Sequence, residues 1–215
     1  YYSRARNLRR AASAVLARHG SRVPAAYEAL LELPGIGRST AAAIAAFAGG
    51  ERRAILDGNV KRVLARHRGV HGWPGERQVR DGLWSIAEAA LPVRGIETYT
   101  QGLMDLGAMV CHARAPDCGR CPVAADCVAR AGALCAVIPA ARPRRERPER
   151  AVRWLVLLEA GCVLLEKRPP AGVWAGLWSL PEAELGIDPV AQARRRFGVT
   201  VAQAVTLERV RHEFT

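Results

Sequence analysis

Lysine is scarce in this sequence. Lys61 and Lys167 are the only two, although the formal net charge is +12 and the sequence pI is about 10.4. Arginine therefore supplies almost all of the positive charge, and its planar guanidinium can form paired hydrogen bonds to phosphate. An arginine-rich proteome could produce the same bias and leave the charges simply solvated. The composition favours a polyanionic partner, nucleic acid first.

Long hydrophobic runs are also missing. No stretch of about 18 apolar residues occurs, which argues against a membrane span, and the first residues do not resemble a signal peptide. We therefore expect a cytosolic protein, in which thiols stay reduced, so the six cysteines indicate metal or cluster ligation more than disulfides. The chain begins at Tyr1 without a methionine and stops at Thr215 within an extended run, so both ends look cut.

Helical periodicity marks roughly the first 130 residues. From Arg4 to His19 apolar residues recur at every third or fourth position, and Gly20 follows. Further helices are predicted over 25–33, 39–48, 59–68, 76–90 and 96–110. Half of the residues are hydrophobic, which is enough for a packed core. We therefore expect a mainly α domain over residues 1–134.

A proline-rich and charged stretch from Pro139 to Arg150 can neither bury itself nor continue a helix, so we assign residues 135–150 to a linker. Beyond it, residues 152–158 and 162–166 are β-rich and are separated by Ala160-Gly161, which predicts a hairpin. A helix from Pro189 to Phe197 and extended chain over 200–215 follow. The pattern predicts a small α+β domain over 151–215, incomplete at its C-terminal end.

The string Leu33 to Thr40 joins two predicted helices. Its two glycines permit a tight turn that exposes backbone N–H groups at the start of the next helix, where one phosphate can bind without sequence readout. An ordinary helix–helix turn is the alternative. The alanine-rich residues 41–46 allow close packing, and the full string resembles the helix-hairpin-helix of DNA repair glycosylases. That resemblance implies DNA contacts by the following residues: Gly35, Gly37, Arg38, Ser39 and Thr40.

Asp57 ends an apolar run and precedes a predicted helix, where an aspartate is most often a helix cap. It also lies about twenty residues after the glycine turn, where the glycosylase superfamily places its active-site carboxylate. Breaking an N-glycosidic bond leaves positive charge on the sugar, and a fixed carboxylate stabilises that charge. The target nucleotide must first flip out of the duplex. Asn59 either orients Asp57 or caps the helix.

Four cysteines lie within 17 residues: Cys111, Cys118, Cys121 and Cys127. They are too crowded for two disulfides and suit one cluster or one metal ion, with zinc as the structural alternative by spacing alone. Placed directly after residues 101–109, the spacing resembles the [4Fe–4S] signature of the endonuclease III and MutY-type glycosylases. The resemblance implies an iron–sulfur cluster on these four thiolates and phosphate contacts by Arg114 and Arg120, for which solvated charge is the alternative. Cys135 and Cys162 fall outside the pattern and are predicted to be small buried residues.

Within this superfamily the chain resembles the MutY-type adenine DNA glycosylases. Endonuclease III enzymes carry a Schiff-base lysine at the place of Ser39, and serine cannot form that bond, so a monofunctional glycosylase is implied. In the adenine branch a tyrosine at the place of Tyr1 wedges into DNA beside the damaged guanine. A glutamine at the place of Gln101 contacts the extruded adenine, although surface polarity explains a lone glutamine equally well.

The tail also resembles this branch. The run from Lys167 to Trp178 is similar to its Nudix-like domain. The resemblance implies that this domain recognises oxidised guanine through a loop that breaks off here at Thr215. A genuine Nudix hydrolase is a rival, but its metal-binding glutamates are replaced here by the run 194–197, Arg-Arg-Arg-Phe, and arginine cannot ligate magnesium. We expect a binding module.

The resemblance implies removal of adenine opposite 8-oxoguanine or guanine in double-stranded DNA, by a monomer associated with the bacterial nucleoid and without a membrane partner. The family protonates adenine with a glutamate upstream of the position of Tyr1, so we expect these 215 residues alone to be catalytically impaired. Two alternatives stay open, an endonuclease III-like glycosylase/lyase and a non-enzymatic iron–sulfur DNA-binding protein.

Overall fold

The structure, a computed structural model, describes residues 2–143 and 149–212. The chain divides into two compact units, Tyr1–Arg144 and Arg145–Thr215. The first unit is helical, and the second combines short antiparallel strands with a helix. This confirms the predicted fold class. No helix among the described residues is both long and apolar enough to cross a membrane.

Helices build the first unit. In chain order they are α1 (Tyr2–Arg18), α2 (Tyr27–Leu31), α3 (Arg38–Gly49), α4 (Gly58–Arg68), α5 (Arg77–Ala89), α6 (Ile96–Asp105), a π-helical turn (Leu106–Val110) and α7 (Val128–Ala131). Every helix predicted up to residue 110 is present. The differences are at the ends, since α2 is shorter than predicted and the last predicted helix changes to the π-helical turn after Asp105.

Alanine spacing on α3 determines how the helices pack. Ala41 and Ala45 face a core with Leu30 and Leu33 of the preceding segment, against which residues of α1 also pack. The other side of α3 presents Ala42 to the larger core. Because alanine has almost no side chain, neighbouring helices approach α3 closely on both sides. The second core is formed by buried residues of the following segments: Ala42, Ala54, Ile55, Leu56, Val60, Leu64, Ala65, Leu83, Ala87, Ala129 and Ile138.

The chain beyond the cysteine loop returns to this core. Ile138 is almost completely buried there, and Cys135 packs against the same cluster, although both belong to the stretch that the sequence assigns to the linker. The backbone N–H of Ala140 donates to the carbonyl of Gly72. The first residues of the predicted linker therefore close the helical unit, whereas residues 144–148 lie outside the described part.

The second unit pairs its strands two by two. Strand β1 (Arg153–Trp154) pairs with β6 (Glu182–Ala183), β2 (Leu158–Glu159) with β3 (Cys162–Val163), and β4 (Glu166–Lys167) with β5 (Trp178–Ser179), all antiparallel. Ala160 and Gly161, both with positive φ, form the turn between β2 and β3 and confirm the predicted hairpin. Helix α8 (Pro189–Phe197) has the predicted bounds, with Asp188 as its cap.

Residues 200–212 form no strand, and apolar side chains such as Val205, Leu207 and Val210 are exposed there, so the predicted extended chain has no strand partner within the described residues. One expectation for this unit is wrong. Cys162 is exposed rather than buried, because it lies on a two-residue strand whose partner pairs only through the backbone.

Candidate functional site

The glycine turn between α2 and α3 is built as a backbone donor site. Gly35 has φ +87°, and an added Cβ would lie 2.8 Å from the Cβ of Asn7, so α1 packs directly on the turn. Gly37 is the N-cap of α3 and offers no side-chain cap. The first helical N–H groups therefore point outward from an exposed turn, as an anion site requires.

The two glycines provide a matched pair of variants. We expect Gly35→Ala to lower the free energy of unfolding by about 1–3 kcal/mol, because alanine resists positive φ and its Cβ meets Asn7. The melting temperature would fall by roughly 2–4 °C per kcal/mol in a chain of this size.

Gly37→Ala is the control. Its φ is −95°, and an added Cβ has no neighbour within 4 Å. We expect a loss under about 1 kcal/mol, reflecting only the N-cap preference for glycine over alanine. Equal melting temperatures for the two variants, measured by circular dichroism, would contradict the strain assigned to Gly35.

Arg38 is occupied by contacts within the protein. Its guanidinium carbon lies 3.7 Å from the ring centroid of Trp84, and Nη2 pairs with Glu88. The side chain is still about half exposed. A phosphate contact by Arg38 would therefore compete with the Glu88 carboxylate, whereas Thr40 lies exposed on the same turn.

Ser39 joins the glycine turn to the segment that carries Asp57. Its Oγ accepts a hydrogen bond of 2.9 Å from the backbone N–H of Leu56. Leu56 itself is buried together with Ala54 and Ile55. The serine therefore holds the residue immediately before Asp57 against the start of α3.

Asp57 caps α4. Its Oδ1 accepts from the backbone N–H of Val60 at 2.8 Å, which confirms the capping interpretation. The residue is exposed, and none of the described residues donates a hydrogen bond to Oδ2. The cap fixes the carboxylate beside the glycine turn and leaves one oxygen accessible. The catalytic role of Asp57 stays a prediction.

Among the described residues, the Asn59 side chain neither caps α4 nor forms a hydrogen bond with Asp57. Its Oδ1 accepts from Arg62 Nη2 at 2.9 Å, and it packs so closely on Gly107 that a Cβ there would lie 2.7 Å from the Cβ of Asn59. Asp57 rather than Asn59 is the cap, because Asp57 is the residue whose side chain reaches the free N–H of Val60. Asn59 instead fixes the approach of α4 to the π-helical turn.

Gln101 lies on the exposed side of α6. Its amide donates to Asp105 Oδ1 at 2.8 Å. Both residues line an open cleft together with Phe47 of α3 and Glu97. The glutamine is therefore available to solvent, and its predicted adenine contact stays a prediction. Tyr1 and Thr215, the remaining predicted DNA contacts at the chain ends, lie outside the described residues.

Four cysteines of the loop line one cavity of about 400 Å³, its open mouth included: Cys111, Cys118, Cys121 and Cys127. Within the described residues, no three His, Cys, Asp or Glu side chains are close enough to hold a single metal ion. Four cysteine thiolates are the donor set of a [4Fe–4S] cluster. The residues present therefore fit that group.

Cys135 lines the same cavity, next to Cys118. Burial raises the pKa of the Cys135 thiol, and the neighbouring Cys118 raises it further. Burial likewise lowers the pKa of His67, which lies at the cavity wall. Of the loop arginines, Arg114 is exposed and has no hydrogen bond or ion pair with the described residues, whereas Arg120 lies 3.8 Å from an Asp117 oxygen.

Two arginines of α4 hold the cysteine loop, and sequence reasoning did not single them out. Arg62 donates to the carbonyls of Cys111 and Gly107, each at 2.7 Å, and also to Asn59. Arg66, one turn later, is buried and reaches the loop from the other side. Their i,i+4 spacing was visible, but charged residues at that spacing usually lie on a solvated face.

Three family models match separate parts of the chain: a helix-hairpin-helix motif over 18–47, the iron–sulfur binding domain of endonuclease III over 111–127, and a NUDIX domain over 153–215. The adenine DNA glycosylase of Buchnera aphidicola subsp. Acyrthosiphon pisum is 30% identical over 85% of this chain and 52% of its own length. The human adenine DNA glycosylase is 32% identical over 91% of this chain and 44% of its own. The chain is a homologue of the adenine DNA glycosylases.

Solved structures agree with this fold. A thermostable thymine-DNA glycosylase superposes with a TM-score of 0.51 at 32% identity, covering 60% of this chain and 59% of that one. An endonuclease III in a non-covalent DNA complex superposes equally well at 23% identity, with 61% and 60% covered, which supports the fold alone. The glycosylase homologue spans about half the length of the curated relatives it matches.

The matched iron–sulfur domain decides between the two cofactors left open by cysteine spacing. It covers the interval from Cys111 to Cys127, so the cofactor of this glycosylase homologue is an iron–sulfur cluster rather than zinc. The NUDIX match covers the second unit, whose helix α8 carries Arg196 paired with Glu166. That the second unit binds without catalysing hydrolysis stays a prediction.

Proposed function

We propose that this chain is part of a base-excision repair enzyme that hydrolyses the N-glycosidic bond of adenine opposite 8-oxoguanine or guanine. The hydrogen bond from Leu56 to Ser39 carries the proposal, because it fixes a carboxylate-bearing segment beside a backbone phosphate site. A hairpin that grips one phosphate sets the position of a flipped nucleotide relative to Asp57. Homology to adenine DNA glycosylases over most of the chain supports the same substrate.

Asp57 would act by charge. As the bond between adenine and the sugar breaks, positive charge develops on the ribose ring, and a fixed negative carboxylate stabilises it. The leaving adenine takes up a proton, and a water molecule adds its hydroxyl to the sugar and releases the other proton. The cap to Val60 keeps the carboxylate from reorienting as the charge appears.

Ser39 makes the enzyme monofunctional in this proposal. A lyase needs an amine that attacks the sugar and forms a Schiff base, and the Ser39 hydroxyl is occupied in accepting from Leu56. Reduction with borohydride during turnover would therefore trap no covalent complex with DNA. A high yield of trapped complex would favour the endonuclease III-like glycosylase/lyase instead.

The other predicted partners belong to the same proposal. Double-stranded DNA would run across the exposed glycine turn and the cysteine loop with Arg114 and Arg120, and the second unit would bind the oxidised guanine. Gln101, together with Tyr1, would contact the mispair. We propose a monomer that acts in the bacterial cytoplasm, on nucleoid DNA.

The deciding experiment measures adenine release from duplexes with adenine opposite 8-oxoguanine. It uses the protein with any residues that precede Tyr1 in its gene, because the family resemblance places the general acid, a glutamate, upstream of the position of Tyr1. We expect release from the mispair and none from adenine opposite thymine. Binding of the mispair without release by that longer protein would favour the non-enzymatic iron–sulfur DNA-binding protein.

The loop arginines give a quantitative test of DNA binding. We expect Arg114→Ala to weaken binding to any duplex and to reduce the slope of log K against log salt by about 0.9, the value for one lost phosphate contact. Arg114 has no competing partner among the described residues. Weaker binding by the alanine variant would therefore report a lost contact with DNA, not a lost contact within the protein.

Arg77→Ala is the matched control for that measurement. Arg77 lies on α5, outside the loop, and is 3.7 Å from Asp81. Its side chain is more exposed than that of Arg120, the other arginine of the loop besides Arg114. Its removal should leave the salt slope unchanged in the same fluorescence anisotropy titration. Equal slopes for parent and Arg114→Ala would remove Arg114 from the DNA interface.

A further inference from the structure

Arg66 is a buried cation at the wall of the cysteine cavity. The residue is 2% exposed, yet all five of its N–H bonds are used. Nε donates to the Ile138 carbonyl, Nη1 to the His112 carbonyl and to Cys111 Sγ, and Nη2 to the Ala113 and Cys135 carbonyls. The oxygen contacts span 2.6–2.8 Å, and the contact to sulfur is 3.4 Å.

Within the described residues no carboxylate forms an ion pair with Arg66. By contrast, Arg168, whose side chain is 13% exposed, pairs with Glu182 at 2.8 Å. A buried unpaired charge is costly, because carbonyl dipoles replace only part of its lost hydration. The site therefore favours a negative group. The negative candidates that line the cavity with Arg66 are the cysteine sulfurs and Asp117, and Asp117 pairs instead with Arg120 at 3.8 Å.

We propose that Arg66 is the charge partner of the iron–sulfur cluster, and that its N–H donation to the Cys111 sulfur raises the reduction potential of the cluster. Four thiolates give the bound group a net negative charge, which the buried guanidinium balances. Potentials of such clusters depend on net charge, hydrogen bonds to sulfur and solvent exposure, and Arg66 contributes to the first two.

The direction of the change in reduction potential follows from the charge of Arg66. In a one-electron reduction the electron comes from the electrode, no cysteine–iron bond breaks, and Arg66 neither gains nor loses a proton, because a guanidinium stays charged. The reduced state is more negative by one electron. A positive charge fixed in a poorly screened position stabilises that state more than the oxidised one, so the potential is higher with Arg66 than without it.

The test is a spectroelectrochemical titration of the cluster-loaded chain without DNA, so it is independent of the proposed glycosylase activity. Arg66→Gln removes the charge, and Arg66→Lys keeps a charge but loses the fork of donors. Arg130→Gln is the matched control, because Arg130 lines the same cavity but is exposed and donates only to the Ala124 carbonyl. Iron release to a chelator is measured in parallel.

We expect the potential of Arg66→Gln to be more negative than that of the parent, Arg66→Lys to lie between them, and Arg130→Gln to match the parent. The shift should persist in high salt, since a buried charge is little screened. Iron release should be faster in both Arg66 variants. If Arg66→Gln loses the cluster, a potential for Arg66→Lys below that of the parent still supports the proposal.

Two outcomes would overturn it. An Arg66→Gln variant with full iron content and the parent's potential would show that the sulfur contact has no electrostatic effect on the cluster. Failure of both Arg66 variants to fold, even when iron and sulfide are supplied, would show that the carbonyl contacts alone explain the residue. Absence of adenine release by the parent protein would concern the glycosylase proposal and not this one, because the potential is measured without DNA.

Discussion

Asp57→Asn, made in the protein with any residues that precede Tyr1 in its gene, should remove adenine release while leaving the fold intact. Asparagine caps a helix as well as aspartate does, so the bond to the Val60 N–H survives and the melting temperature should change by less than about 2 °C. The negative charge is lost, and with it the stabilisation of the developing cation. We expect the single-turnover rate to fall by a factor on the order of 10²–10³ or more.

Asp188→Asn provides the control for this variant. Asp188 caps α8 through the N–H of Ala191 at 2.8 Å, the same cap in the other unit. We expect no change in the rate for this variant and unchanged DNA binding for both. An Asp57→Asn enzyme that releases adenine at the parent's rate would reduce Asp57 to a helix cap and would leave the enzymatic proposal without its carboxylate.

Removal of one cluster ligand is expected to have the largest effect on stability. Cys118→Ser should lose its iron, and the loop would then lack the bond energy that holds residues 111–127 together. Metal-coupled folding energy of several kcal/mol corresponds to a drop in melting temperature of roughly 10 °C or more. Iron content per chain and the thermal melt check both expectations.

Cys135→Ser is the informative comparison, because Cys135 lies next to Cys118 and lines the same cavity. The family spacing excludes it from the ligand set, so this variant should keep its iron. A third variant, Cys162→Ser, changes an exposed thiol of the other unit and should behave like the parent. Loss of iron in Cys135→Ser with retention in Cys118→Ser would show that the ligand set assigned from the sequence is wrong.

Local signals in the sequence predicted the elements well, because each signal acts within a few residues. The apolar spacing of α1, the alanines of α3 and the Ala160-Gly161 turn each determine the backbone over one or two turns of chain. The bounds of α8 were predicted for the same reason, since Asp188-Pro189 begins a helix and Gly198, with φ +68°, ends it.

The contacts that complete the site were beyond sequence reasoning. Arg66 binds carbonyls between 46 and 72 residues away, and a carbonyl gives no signal because every residue carries one. Asn59 follows Asp57 closely in the sequence, and this proximity led to the prediction that the two side chains act together. In the structure the helix turns the Asn59 side chain toward Arg62. Ser39 could be recognised as a serine in place of a lysine, but its bond to Leu56 depends on how two segments pack.

The Ser39–Leu56 bond also bears on how one kind of repair enzyme could be converted into the other. A lysine at position 39 would supply the amine that a strand-cutting activity needs, but an ammonium group donates hydrogen bonds and accepts none. The amide of the buried Leu56 would lose its acceptor, at a cost of about 1–3 kcal/mol. Acquiring the new chemistry by this single replacement would therefore loosen the segment on which the old chemistry depends, and a second substitution would have to restore it.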